Sequence, residues 1–242
     1  MAAVEAGLAK WGDGSAWAWV TLCHWQVVQG EAQILDPSWL GVDAATDERL
    51  RADMQGYFQE DGIELFAWRP GVWLARSPAW AEVSTASLDR VLGETVRVWQ
   101  PGGDHPEGAA RLWRRLQNEM QMLLYQHPIN ETRRTPVNSI WIEGCGRLGG
   151  VTPPPHEPRP PVEVLDDLRE PWLLRDAQRW AQAWTRLDAD VLPALLTPPG
   201  ARVVWCGQRQ ARWWTHQPPP TLERLRRWFR SPTPAEVLAC DV

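Results

Sequence analysis

Four side chains able to hold an anion fall within eight residues: His127, Asn130, Arg133 and Arg134. A neutral imidazole both donates and accepts, a carboxamide offers both kinds of group, and a guanidinium presents a charged planar fork to phosphate or carboxylate. Asn138 follows at the start of an apolar run, which Gly144-Cys145-Gly146 closes. Those two glycines let backbone amides come close to a ligand. Asn118 and Glu119, on the helical stretch just before, would support the set. Read this way, the residues form a pocket for a small phosphorylated or carboxylate molecule. A structural account of the same residues is also open, in which His127 and Asn130 satisfy backbone groups of a turn and the arginines face water.

Other chemistries find less to build on. The five histidines are scattered without an H-x-x-x-H pair, and Cys23-His24, on a strand, would point to opposite faces. The serine elbow G-x-S-x-G and the phosphate loops G-x-x-x-x-G-K-[ST] and G-x-G-x-x-G are absent. Cys23, Cys145, Cys206 and Cys240 lie far apart and read as reduced, mostly buried thiols. No cofactor is expected. A divalent metal enters only if the chain is an enzyme.

The elements that must position these groups are legible as patterns. Alternation at Trp17–Val20, a hairpin about Gln29-Gly30 and another about Arg69-Pro70-Gly71 make the first hundred residues sheet-rich. A helix starts at Thr46 and ends at Asp61-Gly62, a short one runs from Leu88 to Leu92, and Thr95–Trp99 reads as a strand. After a breaker at 101–106, Leu112, Leu116, Met120 and Leu123 mark a helix from about Ala109 to Tyr125, with Gln117, Asn118 and Gln121 off its apolar face. Pro128 must end that helix, because it disfavours helical geometry at His127. Val137–Ile142 then reads as a buried strand, and helix, turn and strand together suggest an α/β unit.

Beyond the proline-rich loop 149–161, Leu173, Ala177, Trp180, Trp184 and Leu187 make a helical stripe that would bury two tryptophans. A short helix at Val191–Leu196, a buried strand at Val203–Cys206 and an arginine-rich helix at Leu222–Phe229 follow. The fold expected is α/β or α+β: one domain over residues 1–242, with a sheet-rich part (1–100) packed on an α/β part (107–242). Most of the 18 tryptophans are assigned to its core, and an exposed subset would serve as anchors for a protein partner.

Net charge is −5, which gives no general attraction to nucleic acid or anionic lipid. Residues 1–110 carry 16 acids and 7 bases, leaving 14 and 18 for the remainder, so an anion would meet the second part. No apolar run approaches the roughly 18 residues of a membrane span, and no basic-then-apolar leader opens the chain. A cytoplasmic protein is expected, with neither nucleic acid nor membrane as partner.

The words LQNEMQMLLYQHPIN and PVNS, with SAWAWVTLCHWQV, DGIELF and SLDRV upstream and VVWCGQRQA downstream, resemble a bacterial family described as RpfE-type regulatory proteins. That family is also described as phosphoglycerate-mutase-like. The segment is similar to one in archaeal-type cofactor-independent phosphoglycerate mutases, metal-dependent enzymes of the alkaline-phosphatase superfamily with an α/β core. The matching positions are His127, Pro128, Asn130, Arg133, Pro136, Asn138, Gly144 and Gly146. The resemblance implies a reduced form of that core. The enzymes' Asp-rich metal motif, Ser/Thr nucleophile and Asp-His motif have no counterpart here, and without bridging metals their phosphoryl transfer lacks both nucleophile and charge clamp. The expectation is a non-catalytic regulatory or interaction protein with an anion pocket. The alternatives are a metal-dependent phosphotransferase or phosphatase, and a protein-binding module built on exposed tryptophans.

Overall fold

The computed structural model describes residues 7–8, 13–102, 107–147, 162–196, 202–206 and 211–215. Contacts group the chain, read from sequence as one domain, into two compact units, residues 1–162 and 163–242.

The first unit is an α+β arrangement about a five-stranded antiparallel sheet. Its axis is β1, Ala16–Val28, whose first eight residues are all buried but Trp19. A strand covered on both faces reads as an almost unbroken apolar run, as this one does. β1 pairs with β2 (Glu31–Leu35) through a turn in which Gln29 and Gly30 both have positive φ. That turn twists as the strands do. The hairpin of β3 (Glu64–Arg69) and β4 (Val72–Arg76) lies against β1 on one side, and β5 (Ser139–Arg147) lies against it on the other.

Helix α1 spans Ala44–Glu60 and is capped by Asp43, whose carboxylate accepts from the Thr46 amide at 2.8 Å. The cap therefore lies three residues before the start read from sequence. Leu50, Met54 and Phe58 recur every four residues and are buried. One turn earlier, buried Asp47 accepts from the Gly71 amide (2.8 Å) and the Trp73 indole (2.9 Å), fastening α1 to the β3–β4 hairpin. Helix α2 is short, Leu88–Val91, and α3 spans Glu107–Tyr125. Trp73, Trp80, Trp113 and Trp141 are fully buried, so the tryptophan-rich core exists in this unit. Trp113 meets Trp141 edge to face, with centroids 5.1 Å apart.

Two expectations for this unit change. The stretch Val96–Trp99 is a 3-10 helix, not a strand: its valines alternate, but Val96 alone is buried and Val98 faces water. The helix–turn–strand at 107–147 is not a parallel α/β unit, because β5 runs antiparallel to β1. All described pairings are antiparallel, so the α/β core implied by the phosphatase resemblance is not present among the described residues.

The second unit contains α4 (Arg169–Leu173), α5 (Ala177–Arg186), a π turn at Leu187–Val191, α6 (Leu192–Leu196) and the hairpin of β6 (Arg202–Cys206) and β7 (Ala211–Thr215). The buried stripe predicted here is only partly buried. Leu187 is inside, Trp184 is half-buried and Trp180 is exposed. Trp180 packs edge to face on Trp184 (5.8 Å), and Trp184 stacks on Trp205 of β6 (5.4 Å, 23° between planes). A two-stranded hairpin is too narrow to cover the whole stripe and has one face left for solvent. For the same reason β6, expected to be buried, is mostly exposed. The arginine-rich stretch 222–229 and the proline-rich loop 149–161 lie outside the described residues.

Candidate functional site

The turn after α3 is built by its own polar side chains. His127 opens a 3-10 turn at Pro128–Asn130; its Nδ1 accepts from the Ile129 amide at 3.2 Å. An accepting Nδ1 places the proton on Nε2, which lies 3.1 Å from Asp53 Oδ2 on α1. Asn130 reaches both neighbouring elements. Its Nδ2 donates to the Leu124 carbonyl (2.8 Å), at the end of α3, and to the Val137 carbonyl (2.9 Å). Its Oδ1 accepts from the Val137 amide at 2.8 Å. Arg133 donates through Nη2 to the Leu40 carbonyl, and Arg134 is exposed.

Asn138 does a related job at the sheet. β5 begins at Ser139, one residue after it, so β1 runs past the end of its partner strand. The Asn138 carboxamide fills the gap: Oδ1 accepts from the Trp25 amide (2.7 Å) and Nδ2 donates to the Trp25 carbonyl (2.9 Å). His24, one residue earlier on β1, bonds the Pro136 carbonyl through Nδ1 at 2.8 Å. A side-chain amide thus extends the ladder by one residue and satisfies a half-buried backbone pair.

The structure brings His127, Asn130, Arg133 and Asn138 into one region, each bonded to its own chain. It does not bring the rest of the sequence-predicted set there. Gly144 lies six strand residues beyond Asn138, roughly 20 Å away, and Gly146 is farther still. Their role is local. Gly144 has φ +62° at an irregularity in the β1–β5 register, and a Cβ on it would meet Trp19 Cδ1 at 2.8 Å. Asn118 is exposed on α3, and Glu119 pairs with Arg115 at 3.9 Å.

Sequence reasoning missed Gln117 and Gln121. Trp113 donates its indole N–H to the Ile142 carbonyl at 3.0 Å, and Gln117 Nε2 donates to the Ile140 carbonyl. Gln121 Nε2 reaches the Ser139 hydroxyl at 3.2 Å. One helical turn advances about 6 Å in four residues and a strand about 6.6 Å in two. A row at i, i+4 and i+8 therefore matches successive outward groups of an edge strand. The signal was present as W-x-x-x-Q-x-x-x-Q, adjacent to the apolar face instead of on it. Gln117 is buried, and its Oε1 has no partner among the described residues.

Three titratable groups near the sheet carry shifts. Burial pushes the Cys23 thiol well above its usual value, against hydrogen bonds from Trp25 and Ser139. Burial likewise pushes Cys145 up to about 12, with the Thr85 hydroxyl opposing. Both thiols are held protonated, which makes them poor nucleophiles. Burial raises Glu143 too. Its carboxylate accepts from the Leu88 amide, which acts the other way, and Asp89 adds to the rise. Cys206 is exposed and Cys145 half-buried, so among the described residues the expectation of mostly buried thiols holds in full for Cys23 alone, and Cys240 lies outside them.

Among the described residues no three His, Cys, Asp or Glu side chains converge as a metal centre would require. The second unit presents a different kind of surface. Val204 and Trp213 are cross-strand partners on the outward face of the β6–β7 hairpin, 53% and 80% exposed, and Trp172 of α4 is 66% exposed. The chain matches no protein-family model, no curated protein and no solved structure at a significant level.

Proposed function

We propose that the protein is a cytoplasmic interaction protein of regulatory type, and that it binds a protein partner through exposed tryptophans of residues 163–242. The observation that carries this reading is the cross-strand pair Val204 and Trp213, held on a hairpin with its indole ring in water. Covering roughly 150 Å² of such a ring is worth about 4 kcal/mol before the costs of association. A tryptophan so placed is the usual anchor of a binding hot spot. The resemblance to RpfE-type regulatory proteins supports the regulatory half of the reading. Three free thiols, Cys23, Cys145 and Cys206, agree with a reducing compartment. No helix among the described residues is long and apolar enough to cross a membrane.

The partner would offer an apolar groove sized for an indole. The test is the affinity of a purified partner for wild type, Trp213→Ser and Trp172→Ser. Trp213→Ser should weaken binding tenfold or more while the unfolding midpoint stays in place. Equal affinity for both variants and wild type would end this reading.

A second reading keeps the anion pocket, and one observation favours it: Arg133 Nε is buried without a partner among the described residues. Thermal unfolding with 3-phosphoglycerate, with and without Mn2+, tests it. A metal-independent rise in midpoint that Arg133→Ala removes would support the pocket. A rise that needs metal would support the phosphotransferase alternative.

A further inference from the structure

Within the second unit, side chains of residues 166–186 line a cleft of about 530 Å³. Ligand sites typically fall in the range of roughly 300–1,000 Å³. One wall carries Asp166, Asp167 and Glu170. The other is α5, with Arg179, Gln182 and Arg186. Arg179 and Arg186 are seven residues apart, two turns of one helix side, or about 10 Å along its axis.

The charges in this cleft are balanced. Three arginines and three carboxylates line it, so its net charge is zero. Arg179 Nη2 pairs with Glu170 at 2.9 Å, and Arg186 Nη2 pairs with Asp167. Both arginines are half exposed or more, at 50% and 63%. Exposed pairs of this kind contribute little and exchange readily for a ligand's charge. In each pair the guanidinium engages through Nη2, one of several donor positions on its fork. Asp166 is exposed, and its carboxylate has no partner among the described residues.

A phosphate dianion would meet three carboxylates here, and a simple cation three arginines. A molecule carrying one charge of each sign meets neither penalty. We infer that the cleft binds a zwitterionic short peptide, its ammonium on the acidic wall at Asp166 and its carboxylate on Arg186 or Arg179. Gln182, between the arginines, offers a neutral donor and acceptor to the peptide's amides. The cleft, at about 530 Å³, has room for a short peptide and far exceeds the volume of a free glycine. The lining of this cleft includes neither Trp172 nor Trp213.

The test titrates the full chain with triglycine, N-acetyl-triglycine, triglycine amide, glycine and inorganic phosphate, followed by calorimetry. Triglycine should bind saturably, and losing either terminal charge should weaken it at least tenfold. Asp166→Asn and Arg186→Gln, both at exposed positions, should each weaken triglycine at least tenfold with the circular dichroism spectrum and unfolding midpoint unchanged. The inference is overturned if triglycine does not saturate, if the capped forms or glycine bind as well as triglycine, if phosphate competes, or if both variants bind as wild type does.

Discussion

Asn130 and Asn138 act here as pieces of backbone. Each carboxamide donates and accepts at once, as a peptide group does, and each sits where a helix or strand ends without a natural continuation. Asn138→Ala would leave the Trp25 amide and carbonyl without that partner. The expected loss is about 1 kcal/mol, read from urea unfolding, because a half-buried backbone group without its partner is only partly resolvated. Asn138→Asp should also lose stability at neutral pH, since a carboxylate cannot donate to the Trp25 carbonyl. Glu143 is a residue whose burial works against its charge. Because burial raises its carboxyl above the usual 4.5, the folded chain holds that proton more tightly than the unfolded chain. Its contribution to stability is present below the ordinary value and is lost as pH rises through the raised one. Glu143→Gln keeps an acceptor for the Leu88 amide and removes the charge. The variant should therefore gain stability relative to wild type on going from about pH 4 to about pH 7. An identical pH dependence in the two proteins would refute this.

At the scale of elements, the main device is the helix that guards a strand edge. β5 is an edge strand, and an open edge invites pairing with another chain. α3 runs along it, with Trp113 and Gln117 donating to the Ile142 and Ile140 carbonyls. Gln117→Leu removes one donor and leaves the Ile140 carbonyl buried. Hydrogen exchange should then speed up along β5 more than along β2, which α3 does not bond; uniform acceleration would show only a global loss of stability. The other end of β5 depends on Gly144. Its left-handed backbone and the contact with Trp19 both exclude a side chain. Gly144→Ala should cost about 1–3 kcal/mol and disturb the β1–β5 register near Trp17 and Trp19.

For the whole molecule, the described tryptophans range from fully buried to exposed, with Trp39 and Trp68 of the first unit 43% and 36% exposed. Trp73, Trp80, Trp113 and Trp141 fill the core of the first unit, whereas Trp172 and Trp213 of the second stand in water. Acrylamide should therefore quench only part of the fluorescence. Trp213→Phe and Trp172→Phe together should shrink the quenchable fraction, and Trp73→Phe should not. If all the fluorescence were equally accessible, the division into core and surface tryptophans would fail. The paired charges of residues 166–186 differ from the acidic surface of the first hundred and ten residues. The equal number of carboxylates and arginines in the cleft is why a zwitterion, rather than a simple anion, suits it.

Local physics was readable from residues alone. Turn chemistry marked the β1–β2 and β3–β4 hairpins, Pro128 marked the end of α3, and the four-residue spacing of Leu50, Met54 and Phe58 marked α1 and its buried side. The density of polar groups at His127, Asn130 and Asn138 was also visible, and so was the structural account of them. Which account the chain follows depends on neighbours distant in sequence: Asp53, Leu40 and Trp25. The direction of β5 was likewise hidden, since a helix, turn and strand in that order fit either a parallel or an antiparallel partner, and only the pairing with β1 decides. Periodicity alone could not separate the buried tryptophans from the exposed ones. Trp113 and Trp180 both lie on strongly patterned helices, but Trp113 meets a five-stranded sheet and Trp180 sits beside a two-stranded hairpin. A helical stripe states which residues share a face, whereas the area of the surface opposite determines how much of that face leaves water.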